Sequence, residues 1–62
     1  MDLETILQKV QHIQSGRVLE VELETEHQDY VYEVEILDDA GVVHKLILDA
    51  HSGDLLKSKK DD

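Results

Sequence analysis

Four histidines and fifteen acids are the groups in this chain best able to bind a metal or move a proton. A metal site built on one element needs ligands three or four apart on a helix, or two apart on a strand, so that their lone pairs converge. His12, His27, His44 and His51 meet neither spacing. They are expected in loop, edge and half-buried positions, with no metal and no cofactor. The segment Asp49-Ala50-His51-Ser52-Gly53-Asp54 is dense in oxygen donors, yet it lacks the alternating acids and closing bidentate glutamate of a calcium loop. It reads as a structural turn in which the Asp49 carboxylate accepts backbone amides and Gly53 supplies a positive φ. A nucleophilic hydroxyl needs a base to activate it, and Ser15, Ser52 and Ser58 have none at a recognisable spacing. The carboxylates fall on a solvent face rather than in a pocket, so no enzymatic activity is expected.

Overall charge narrows the partners. Fifteen acids against six bases give a net charge of −9 on 62 residues, a surface that repels phosphate backbones and anionic headgroups. Nucleic acid is not an expected partner. No apolar run approaches the ~18 residues of a membrane span, and Met1-Asp2-Leu3-Glu4 is not the basic start of a signal peptide. There is no cysteine, hence no disulfide and no thiolate site. A chain of this length holds one small core whose burial barely outweighs conformational entropy, so partner contacts bear on its stability.

The elements that position these residues follow from periodicity. Leu3, Ile6, Leu7, Val10 and Ile13 form one stripe of a 3.6-residue period, which predicts an amphipathic helix over 3–14. Asp2 is its expected cap, Met1 packs on Ile6 as a staple, and Gly16 is the left-handed stop. From Arg17 the period changes to two, and Leu19, Val21 and Leu23 alternate with acids. Tyr32, Val34 and Ile36 then share a second strand's core face, and Val42 to Leu48 form a third strand. Leu55-Leu56 add a short fourth strand at most, and residues 57–62 read as a polar, frayed tail. The fold expected is α+β: one N-terminal helix packed on an antiparallel meander of three strands, or four with Leu55-Leu56, within a single domain over 1–56.

Matching the core faces sets the register. Leu19, Val21 and Leu23 are placed against Ile36, Val34 and Tyr32, with Glu26 opposite Asp29 and His27-Gln28 as the loop. Val34 opposite Leu46 leaves Asp39-Ala40-Gly41 as a three-residue loop with glycine at the bulge position. His44 takes the core parity of Leu46 and Leu48. On the outer face this register sets Glu22 opposite Glu33 and Glu20 opposite Glu35, with Lys45 opposite Glu35 as the only offset to like-charge repulsion. Such a face is either a solvated surface that resists aggregation or a docking face for a basic protein partner. Val18, Val31, Leu37, Val43 and Ile47 are placed on the same face, which makes a weak homodimer the alternative to a monomer.

Three segments carry a family resemblance: Gly16-Arg17-Val18-Leu19-Glu20-Val21-Glu22-Leu23, then Tyr32-Glu33-Val34-Glu35-Ile36, then Leu48-Asp49-Ala50-His51-Ser52-Gly53-Asp54-Leu55-Leu56. In order and spacing they resemble the motifs of the PepSY domain across nearly the whole chain. The last is the most diagnostic, with Ser52 where threonine is usual. The resemblance implies a cystatin-like helix on an antiparallel sheet and a bacterial, extracytoplasmic (periplasmic or secreted) setting. It also implies a protein partner of the metallopeptidase class, because these domains occur in propeptides of thermolysin-like peptidases, where a restraining role has been proposed. It supplies no catalytic residues, and Asp49 and Gly53 match the family as structural turn positions. The function expected is therefore a non-enzymatic protein-binding module that inhibits or regulates an extracytoplasmic peptidase. The alternative is a self-associating accessory domain of the bacterial envelope.

Overall fold

A computed structural model describes residues 1–61. Helix α1 runs Leu3–Ile13. It starts where Asp2, in extended backbone, accepts the Thr5 amide on its carboxylate at 2.9 Å, which satisfies one of the first-turn donors. Ile6 and Val10 are its buried stripe, while Leu3 and Ile13 at its two ends stay exposed. The helix stops at Gln14 in extended backbone, two residues before the glycine expected to end it. Gly16 serves a different purpose: it passes so close to β2 that a side chain there has no room. The Gln11 side-chain amide holds it from both sides, donating to the Gly16 carbonyl at 3.0 Å and accepting its N–H at 3.3 Å.

Four strands follow, β1 (Arg17–Glu26), β2 (Asp29–Leu37), β3 (Val43–Asp49) and β4 (Leu55–Asp61), in one open antiparallel sheet of order β1-β2-β3-β4. The first hairpin pairs Glu26 with Asp29, and its loop residues His27 and Gln28 both take positive φ, at 50° and 71°. That is the two-residue hairpin geometry that matches strand twist, here built without glycine. The second hairpin sets Val34 opposite Leu46, closes with the Asp38 N–H on the Val42 carbonyl at 3.0 Å, and carries Gly41 at φ +83°. The second register is the one read from the alternating pattern, and so is the first from Glu20↔Glu35 to Glu26↔Asp29.

Ile6 and Val10 pack with Val34, Ile36, Leu46 and Leu48 as the core, and Val18, Val21 and Tyr32 flank it. Two expectations for β1 need correction. The register slips between Val18 and Glu20, so Leu19 is an extra residue. Val18, not Leu19, then lies opposite Ile36 and packs on the core, and Leu19 is left 46% exposed. A bulge of this kind moves one residue to the other face without disturbing the register beyond it. Leu23 also stays exposed, at 57%. The reason is length: α1 has 11 residues and spans ~16 Å, whereas the 10 residues of β1 extend ~33 Å. The far half of the first hairpin therefore projects past the helix, and the molecule is elongated, 35 × 21 × 15 Å.

The tail is the third correction. Residues Lys57–Asp61, read as frayed, belong to β4 and pair with β3 from Ile47↔Lys57 to Val43↔Asp61. Every residue of β4 is exposed, so beyond Leu55-Leu56, where the sequence allowed a short fourth strand, hydrophobic periodicity carries no trace of it. What holds it is the row of backbone donors and acceptors that β3 would otherwise leave open.

Candidate binding surface

The outer face of the sheet, opposite α1, gathers the acids expected there. Glu20 lies opposite Glu35 and Glu22 opposite Glu33, and together with Lys45 they line a shallow depression of about 100 Å³. Lys45 is the single cation of the depression. Its ammonium sits 3.0 Å from Glu33 Oε1 and 3.7 Å from Glu35 Oε1, which raises its own affinity for a proton. Glu33, held first by Lys45 and then by Glu24, stays below the usual carboxylate range.

Glu24 is a member of this cluster that the sequence reading left out. Its carboxylate and those of Glu22 and Glu33 lie within 4.8 Å of one another. The signal was present, since Glu24 has the parity of Glu20 and Glu22, but its cross-strand partner is Val31 rather than an acid. Hydrogen bonds to Glu33 and Glu22, with repulsion from both, push the Glu24 carboxyl up to about 7. A hydrogen bond to Glu22 and the charges of Glu22 and Glu35 push Glu20 up as well. Both shifts favour the protonated carboxyl, because a proton relieves part of the repulsion among the carboxylates of β1 and β2.

These shifts have a signed consequence. A carboxyl whose folded pKa is raised binds its proton more tightly in the folded chain, so its contribution is present at low pH and lost as pH rises through the folded value. The melting temperature is therefore expected to rise as pH falls from about 8 to about 5, driven by Glu24 and Glu20. Below about pH 4 the trend reverses, because Glu33, Asp38 and Asp49 are held below their usual values and lose their partners on protonation. Thermal melts across this range check the claim, and Glu24→Gln should flatten the upper limb. A wild-type melting temperature that is flat or falls from pH 8 to 5 contradicts it.

The turn motif lies elsewhere. Asp49 Oδ1 accepts the His51 and Ser52 amides at 2.8 and 2.9 Å, Gly53 has φ +78°, and its N–H donates to the Asp49 carbonyl at 2.8 Å. Asp49, Ala50 and His51 border a hollow of about 320 Å³ with Tyr30 and Asp29, on the same side as the first hairpin's tip. The structure does not bring Asp49 and Gly53 into the acidic depression. The four histidines are also kept apart: His12, His27 and His51 are exposed and His44 is buried. His44 Nε2 donates to Asp38 Oδ2 at 2.7 Å, an interaction not foreseen from spacing.

The apolar residues placed on the outer face prove less available than expected. Val31 is 3% exposed, Leu37, Val43 and Ile47 are half-buried, and Val18 belongs to the opposite face. On the edge strands, Leu19, Leu23, Leu55 and Leu56 are the exposed large apolar side chains.

One helix laid on an open four-stranded sheet, with an acidic outer face and two bare edges, defines a small α+β module. The family model for the peptidase propeptide and YPEB domain matches residues 1–59, and the chain belongs to this PepSY family. PepSY domains are generally non-catalytic modules of propeptide or inhibitor type, typically extracytoplasmic. No curated protein and no solved structure matches the chain. Among the described residues no helix is long and apolar enough to cross a membrane.

Proposed function

We propose that this domain is a non-enzymatic regulator that binds a peptidase outside the cytoplasm, with a metallopeptidase as its target. The acidic depression of Glu20, Glu22, Glu33 and Glu35 beside the uncovered β1 edge carries this reading. Four carboxylates with one compensating lysine attract a basic surface and raise the association rate. A free strand edge adds main-chain hydrogen bonds to a partner segment without needing a pocket. Family membership supports the choice of a peptidase as that partner.

The test is to titrate the domain against a thermolysin-like metallopeptidase from the same organism, measuring Kd and residual hydrolysis. The wild type should bind and slow hydrolysis. The quadruple variant Glu20→Gln, Glu22→Gln, Glu33→Gln, Glu35→Gln should bind at least about tenfold more weakly, mostly through a slower on-rate. Equal binding by the variant removes the acidic face from the mechanism, and no binding by the wild type removes the peptidase.

A further inference from the structure

The two edges of the sheet are opposite in charge. Edge strand β1 carries Glu20, Glu22, Glu24 and Glu26 with Arg17 as its only base, and edge strand β4 carries Lys57, Lys59 and Lys60 with Asp61 as its only acid among the described residues. The pairings Ile47↔Lys57 and Lys45↔Lys59 put Lys57 and Lys59 on the face of Lys45, which is also the face of Glu20, Glu22 and Glu24. Among the described residues, no carboxylate lies within salt-bridge distance of Lys57, Lys59 or Lys60, and no cation within that distance of Glu20, Glu22 or Glu24.

From this we infer that copies of the chain associate edge to edge, β1 of one copy pairing with β4 of the next. Unpaired strand edges are templates for further pairing, and charge decides which pairings survive. Joining β1 to β1 sets glutamates against glutamates, and joining β4 to β4 sets lysines against lysines. Only β1 with β4 sets opposite charges together. Direction agrees: four alternating antiparallel strands mean that a copy displaced sideways across the sheet presents β4 antiparallel to β1, with its helix on the same side.

A register placing Lys57 opposite Glu22 and Lys59 opposite Glu20 also brings Leu56 opposite Leu23. This pairs two of the apolar residues the single chain leaves exposed, at 55% and 57%. The contact is heterologous, so it extends into a ring or an open row rather than closing as a two-fold dimer. It occupies the β1 edge that a peptidase would use, so assembly and peptidase binding exclude one another. The inference itself stands on edge charge and strand direction and is independent of the peptidase reading.

Sedimentation velocity on the wild type from about 10 µM to about 1 mM should show the average mass rising at least about twofold. Two charge-reversed variants, Glu20→Lys/Glu22→Lys and Lys57→Glu/Lys59→Glu, should each stay monomeric over that range. Mixed in equal amounts they should recover the mass increase, because every junction between unlike copies is again complementary. On the wild type alone, concentration-dependent amide shifts in NMR should fall on β1 and β4. A wild type that stays monomeric overturns the inference. So does mass growth that survives in both variants, a mixture that stays monomeric while both variants are folded, or shifts centred on α1 or the outer face of β2 and β3.

Discussion

Replacing Gly16 by alanine is expected to unfold most of the protein at room temperature. A Cβ at this position would lie 2.5 Å from the Leu37 carbonyl oxygen and 2.7 Å from Ile36 Cγ2. Neither atom can yield: the first is backbone of β2, and the second belongs to a side chain that is fully buried in the core. The backbone itself sits at φ +153°, where side chains are rarely tolerated. Strain of about 1–3 kcal/mol and overpacking of about 1–3 kcal/mol add at one site. A single-core domain of this size holds about 3–5 kcal/mol in total. Urea titration followed by far-UV circular dichroism should find the variant largely unfolded before denaturant is added. Gly41→Ala is the control, since nothing lies within 4 Å of a Cβ there, and only conformational strain of about 1–2 kcal/mol applies. Equal midpoints for the two variants refute the close-approach argument.

His44→Ala should cost about 2–3 kcal/mol, the sum of a cavity and a lost buried hydrogen bond. His44 is 6% exposed, the one buried polar side chain among the described residues, and its ring donates to Asp38 at 2.7 Å. Asp38 does more than receive this bond. Its other oxygen accepts the Ala40 and Val42 amides at 2.9 Å each, which fixes the loop between β2 and β3. The His44 donor, followed by the Val42 amide, holds its carboxyl below the usual range. Asp38→Asn keeps an oxygen for the Ala40 and Val42 amides but turns an NH2 donor toward His44 Nε2, a bond that forms only if the imidazole carries its proton on Nδ1; it should therefore be milder than His44→Ala and should remove part of the stability lost below about pH 4. Urea midpoints of the two variants at neutral pH check the order. A His44→Ala protein as stable as wild type means the imidazole is dispensable to the core.

Much of this architecture was legible because one face of each element must be dry. The stripe of Ile6 and Val10 and the alternation of Val34 and Ile36 with glutamates force α1 and β2 to turn particular sides inward. A one-residue slip would reverse every side chain of a strand, so the registers Val34↔Leu46 and Glu26↔Asp29 followed from the same pattern. With those registers, the acidic face of Glu20, Glu22, Glu33 and Glu35 followed too.

What escaped the pattern lacks a hydrophobic signature. Strand β4 is wet on both faces, and its pairing is a matter of backbone hydrogen bonds that any sequence without proline can make. The bulge at Leu19 exchanges one apolar residue for another, Val18, so composition is blind to it. The Asp38–His44 pair joins residues six apart across a loop, a distance set only once β2 and β3 are paired.

By itself the sequence determined the helix and the first three strands, the registers Val34↔Leu46 and Glu26↔Asp29, the sign of the surface charge and the PepSY resemblance, because periodicity and charge are properties of the chain read locally. The tertiary structure alone decided that the fourth strand, one option at Leu55-Leu56, forms and runs on to Asp61, that the two edges of the sheet carry opposite charge, and that the carboxylates of Glu22, Glu24 and Glu33 meet. Those features depend on which residues meet across space, and the distances that govern hydrogen bonding and Coulomb interaction exist only after the chain has closed on itself.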